Sequence, residues 1–227
     1  MKKWLLFFCL SFSTLLMGVN MSWDTYKKYV LHHQKSVPGW CCPEKAEKLM
    51  ELIRETNPKV CVEVGVFGGS SVYPMASALS FQKSGGIIHA IDPWSNAECL
   101  KGYTPGDPNY EWWGKVNLEA IYQQFLIILN RHKVSAACNV MRMTSEAALT
   151  HFADESIDIL HIDGNHFTDI AVSDAVMWLP KVKKGGYIWF DDANWPETRE
   201  AVQFVKEHCF LDMERSIGHD CYLFHKN

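Results

Sequence analysis

Chemistry-bearing residues recur in five short stretches of this chain. They are Glu63-Val64-Gly65, Asp92, Ser145-Glu146, Asp163-Gly164-Asn165-His166 and Asp191-Asp192. Asp163, Asp191 and Asp192 would repel one another strongly if brought together unpaired. A divalent cation resolves that repulsion, and oxygen-only ligation suits Mg²⁺ first, with Mn²⁺ or Ca²⁺ as alternatives. The ordinary alternative is that these acids cap the helices after them or meet Arg199. His166 follows Asp163 by three residues, which sets an imidazole beside any oxygen that such an ion holds. Imidazoles titrate near neutrality and suit the role of general base for an acidified hydroxyl. His161, inside the apolar run before Asp163, is expected to face packing. Asp92 is an acceptor-only group that can engage both hydroxyls of a vicinal diol; alone, it would read as an acidic turn before Pro93.

These residues need elements that bring them to one rim. Val60 to Val66 supplies β-branched strand residues. The run Gly65-Val66-Phe67-Gly68-Gly69 then turns, and its glycines allow close backbone approach to a ligand. Ser70 and Ser71 are placed to cap the next helix, with Pro74 in its first turn. The turn is not G-x-G-x-x-G. Val66 and Phe67 put bulk where a pyrophosphate would need a second close glycine, which favours a nucleoside ligand and weighs against NAD or FAD.

Further strands are expected at 87–92, 140–143, 157–163, 187–191, 211–217 and 221–225. Amphipathic helices lie between them, marked by Ala46, Leu49, Met50 and Ile53 and by Leu118, Ile121, Phe125 and Leu129. Strand and helix alternate almost throughout. That predicts an α/β fold: a Rossmann-like, seven-stranded, mostly parallel sheet with helices on both faces. The short Gly218-His219 connection closes it as an antiparallel hairpin. Ligands of such sheets bind beyond the carboxyl ends of the strands, where all five stretches fall. The loop from Trp94 to Lys115 carries Trp94, Tyr103, Tyr110, Trp112 and Trp113. It reads as an aromatic substrate wall or, more plainly, as a packed surface loop.

The chain has 227 residues and a formal net charge of −4. Its Lys and Arg are scattered, so no nucleic-acid footprint is expected. The eight cysteines lack C-x-x-C spacing and read as reduced thiols. Three segments are expected: 1–20, 21–58 and 59–227. The first is apolar behind Lys2-Lys3 and reads as an export signal, an uncleaved anchor through residues 4–19, or sequence ahead of a true start at Met21. It is short for a spanning helix, which needs about 20 apolar residues. The second reads as a helical cap and the third as the catalytic domain.

The segment Val62-Glu63-Val64-Gly65-Val66-Phe67-Gly68-Gly69-Ser70-Ser71 resembles the first motif of class I S-adenosylmethionine-dependent methyltransferases. Asp92 matches their ribose-binding acid, and Ser145-Glu146 falls where the adenine side is bound. Ile162-Asp163-Gly164-Asn165-His166 and Asp191-Asp192 resemble metal-dependent O-methyltransferases of the macrolide-sugar and cephalosporin-hydroxylase-like group. That resemblance implies a donor held by Glu63, Gly65, Gly69, Ser70, Asp92 and Ser145. It also implies a cation on Asp163, Asp191 and Asp192, with His166 as base. The expected reaction is O-methylation of a small-molecule or sugar hydroxyl, in the cytoplasm because the donor is made there. A membrane-anchored or exported protein is the alternative location. The competing functions are metal-independent N- or C-methylation and a nucleotide- or glycan-binding module without turnover.

Overall fold

The computed structural model describes residues 21–227, so the expectation for residues 1–20 lies outside the described residues. Two helices come first, α1 (Trp23–Gln34) and α2 (Pro43–Thr56). Pro43 opens α2 at a position where the missing N–H costs nothing. Asn57 ends it in the left-handed region, with φ 49°. Strand β1 (Val60–Val64) and helix α3 (Val72–Gln82) flank the glycine turn. Then come β2 (Ile87–Ile91), the short α4 (Asn96–Cys99) and α5 (Pro108–Trp113), and α6 (Leu118–Arg131). The rest is β3 (Cys138–Met141), α7 (Ser145–Ala148), β4 (Ile157–Ile162), α8 (Thr168–Trp178), β5 (Val182–Phe190), α9 (Arg199–His208), β6 (Cys209–Ile217) and β7 (Cys221–Lys226).

The strands form one sheet in the order β3-β2-β1-β4-β5-β7-β6. The first five are parallel, while β7 runs antiparallel to both β5 and β6. This is the Rossmann-like sheet that the alternation implied. β5 differs in starting at Val182, so Gly185-Gly186 lies inside it rather than before it. Val182 pairs with Ile157 and Tyr187 with Ile159, so extra residues bulge out between them. Gly185, at φ +75°, takes the left-handed conformation that this bulge needs.

Residue alternation along each strand divides the core between two faces. Cys61, Ile159, Trp189 and Leu223 point to one face, under α1, α2, α3 and α6. Val62, Val64, Leu160, Ile162, Ile188 and Phe190 point to the other, under α8 and α9. The cap helices share the first cluster through Trp23, Val30, Leu49 and Ile53. Residues 21–58 therefore pack as part of the sheet's own core.

The ladder continues one residue beyond the strands. Gly65 N donates to Ile91 O, Asp163 N to Val64 O and Asp191 N to Ile162 O, each at 2.9 Å. Gly65 sits at φ +86°, and a Cβ there would lie 1.8 Å from the Asp163 carbonyl oxygen. Gly65→Ala is expected to destabilise the protein by about 2–5 kcal/mol, combining left-handed strain with overpacking. Urea unfolding of the pair checks this; an unchanged midpoint would mean that the contact between the ends of β1 and β4 can yield.

Candidate active site

The carboxyl ends of β1, β2, β4 and β5 meet at one rim. Asp92, just past β2, spends its carboxylate on the glycine turn. Its Oδ2 accepts from Val66 N at 3.0 Å and Phe67 N at 2.9 Å, and its Oδ1 accepts from Trp94 N at 2.7 Å. Burial pushes this carboxyl up, against the three N–H donors. Phe67 holds φ 50°, a strained value for a bulky residue. Asp92 thus shapes the turn as well as standing beside it.

Other residues expected at the donor pocket are distributed differently. Gly69 lies against the Phe125 ring, where a Cβ would come within 2.4 Å. Glu63 is fully buried beneath the rim, accepting from Ser71 Oγ at 2.5 Å. Glu63, expected at the donor, thus has its Oε1 engaged by the residue that opens α3. Ser71 occupies the N-cap position of α3 but gives its hydroxyl to Glu63 and leaves the helix uncapped by a side chain. Ser70 Oγ accepts from Cys41 N at 3.2 Å and is 5 % exposed, so it fastens the turn to the cap. Ser145 Oγ donates to Asp174 Oδ1 at 2.5 Å and accepts from Trp178 Nε1 at 2.7 Å. Burial pushes Asp174 up to about 6, against the Ser145 hydrogen bond.

The three expected cation ligands separate into two environments. Asp163, His166 and Asp192 converge, their ligand atoms all within 4.8 Å of one another. His166 Nε2 lies 3.0 Å from Asp192 Oδ2, and its ring packs edge-on to Trp195 at 4.8 Å. Asp192 takes φ 50°, which turns it away from the line of β5. Asp191 faces inward instead, where Lys45 Nζ donates to its Oδ2. The same ammonium stands 3.9 Å from Asp163 Oδ2. Asp191, expected as a cation ligand, has its Oδ2 occupied by the Lys45 ammonium. Asp163 and Asp192 still offer carboxylate oxygens that fit a divalent cation, with the His166 imidazole beside them.

Lys45 and His161 belong to a buried polar row on the cap-facing side of the sheet. His161 Nδ1 is 3.1 Å from Glu63 Oε2, and its Nε2 is 3.8 Å from Asp191 Oδ2, neither in hydrogen-bond alignment. Burial and Lys45 pull the imidazole down, but Glu63 and Asp191 outweigh them and raise it. Burial would raise Asp191, yet His161 and Lys45 hold it well below the usual carboxylate range. Burial and the neighbouring Asp191 push Asp163 well up. Cys221 closes the row, its Sγ within reach of His161 and Asp191. Asp220 adds a further carboxyl, raised by burial and by Asp191 and Asp192.

A small recess opens among Asp163, Asn165, His166, Asp174, Asp191 and Thr198. The aromatic loop beside it divides. Trp94 is 3 % exposed, stacked on Phe125 and donating from Nε1 to Phe67 O at 2.7 Å, so it is core rather than wall. Trp112 and Trp113 stay nearer the surface and gather with Trp40 around Phe67, with ring centroids 4.5–6.5 Å apart. Asn165 reaches across to this loop and donates to Lys101 O at 3.1 Å.

Known proteins resemble this chain in sequence or in fold. A family profile described as a methyltransferase domain matches residues 62–193. The uncharacterized protein y4gI of Sinorhizobium fredii is 26 % identical over 161 residues, 71 % of this chain, and the chain spans 15 % of that protein's length. The O-methyltransferase from Bacillus cereus, solved in complex with SAH, superposes with a TM-score of 0.60 at 15 % identity, over 92 % of this chain and 94 % of that one. TomG from Streptomyces achromogenes, an O-methyltransferase solved with SAM, gives 0.57 at 16 % identity, over 95 % and 93 %. SAH-bound PaMTH1, a methyltransferase of Podospora anserina, gives 0.62 at 10 % identity, over 89 % and 88 %. These likenesses fix the fold, and the profile spans both the glycine turn and the acidic rim: the chain belongs to the methyltransferase-domain family.

Proposed function

We propose that this enzyme moves the methyl group of S-adenosylmethionine to a hydroxyl oxygen of a small molecule or sugar, assisted by a divalent cation, with Mg²⁺ the first choice. The convergence of Asp163, His166 and Asp192 at the sheet rim carries this reading. Two structural neighbours with the same fold are described as O-methyltransferases, which supports oxygen as the acceptor atom. A cytosolic place of action fits the origin of the donor.

The glycine turn and Asp92 would hold the nucleoside end of the donor, with Ser145 on the adenine side. His166 is the base. Its Nε2 faces Asp192, so Asp192 fixes the tautomer and leaves Nδ1 to take the acceptor's proton. A cation on Asp163 and Asp192 would supply Lewis acidity toward the acceptor hydroxyl. As the oxygen–carbon bond forms, the carbon–sulfur bond breaks, and its electron pair stays on sulfur. Asp192 then stabilises the imidazolium. Holding oxygen, methyl and sulfur in line supplies much of the rate gain. The exposed faces of Trp40 and Trp112, beside a shallow surface depression lined by Trp112 and Lys115, offer stacking surface for the acceptor.

A metal-independent transfer is the second reading, and the Lys45 ammonium beside Asp163 and Asp191 favours it. Assay after exhaustive chelation separates the two: lost activity supports the cation, and full activity the second reading.

Asp92→Ala is expected to weaken donor binding by about 1–3 kcal/mol, because it removes the acceptor for the diol and frees two amides of the glycine turn and that of Trp94. Calorimetry checks this, and a folded wild type that binds no donor would remove the proposal. His166→Ala should keep donor affinity but lower turnover by about 10²–10⁴-fold. The wild-type rate should show a rising pH limb that the variant lacks. A variant with near-wild-type turnover and the same limb would make His166 structural.

A further inference from the structure

Lys45 comes from α2, more than a hundred residues away in sequence from the acids that it meets. It is 3 % exposed, although an ammonium is among the groups least often buried. Its Nζ donates to Asp191 Oδ2 and lies 3.9 Å from Asp163 Oδ2. Around it stand His161 and the thiols of Cys41 and Cys221, both kept neutral by burial. Asp191 is itself nearly enclosed, with a side chain 12 % exposed. A buried carboxylate without a counter-charge is strongly destabilising, so one of these two groups requires the other.

We infer that Lys45 is a built-in cation of the catalytic rim: a positioning residue that fills the inner flank between Asp191 and Asp163 and confines any divalent ion to the outer flank of Asp163, His166 and Asp192. The cap helix thereby completes the site. The ammonium is too enclosed to touch an acceptor and acts through the two carboxylates. Without it, Asp191 and Asp163 would present an inner pair of oxygens able to bind a divalent ion themselves.

This inference deepens the cation reading of the rim, and its test needs no turnover. Mn²⁺ binding to the full chain is measured by calorimetry, alongside thermal unfolding with and without Mn²⁺, for wild type, Lys45→Met and Lys45→Met/Asp191→Asn. Lys45→Met should unfold at a lower temperature than wild type without Mn²⁺. It should bind Mn²⁺ at least 10-fold more tightly and regain thermal stability on binding. The double variant should lose the added affinity and recover the midpoint without the ion. A single variant that fails to fold beside a double variant that folds also supports the inference. Mn²⁺ affinity of Lys45→Met within twofold of wild type overturns it, as does failure of both variants to fold. A wild type that binds no Mn²⁺ defeats the cation reading alone, because the contrast between Lys45→Met and wild type still decides the role of Lys45.

Discussion

The close approach of Gly65, at the end of β1, to the Asp163 carbonyl, at the end of β4, is the constraint on which the site depends. Only a residue without a Cβ lets β1 turn away while the Asp163 carbonyl passes beside it. The glycine turn and the first acid of the rim are therefore fixed by one close contact. Because the ladder runs on through Gly65, Asp163 and Asp191, these residues leave from rigid backbone rather than from loops. Sites built this way hold their geometry more closely than loop-borne ones.

Beneath that contact runs a second order of organisation. Ser71, Glu63, His161, Asp191 and Lys45 form a buried polar chain from the start of α3 to the cap. Each member would be costly alone, and charges of both signs along the row compensate one another. The donor turn and the acidic rim are the two ends of this chain. Movement of α2 against the sheet would disturb both ends together.

Much of this was legible in the residues. Strand ends placed Asp92, Asp163, Asp191 and Asp192 at one rim, because parallel strands in an alternating α/β chain must point the same way. Side-chain direction was less legible. Asp191 and Asp192 are neighbours in sequence, yet one turns inward and the other outward, since Asp192 adopts a positive φ that no strand pattern announces. Lys45 was missed because Pro-Glu-Lys-Ala-Glu-Lys reads as a polar helix start. The signal was its spacing, for Lys45, Leu49 and Leu52 fall at i, i+4 and i+7 and are all buried. Trp94 was grouped with its loop, but its indole belongs to the core with Phe125. Ser71 has the residue type and position of a helix cap, and a buried carboxylate below it competed successfully for the hydroxyl.

The placing of β7 between β5 and β6 has a consequence for biosynthesis. β6 leaves the ribosome before the strand that joins it to the sheet. A nascent chain that has reached Ile217 already contains Asp163, His166, Asp191 and Asp192, yet β5 has no outer neighbour and Cys221 is not there to close the buried row. At about 5–20 residues per second, the interval is short, but the order is obligatory. β6 can join the sheet only once β7 is made, because β7 stands between it and β5.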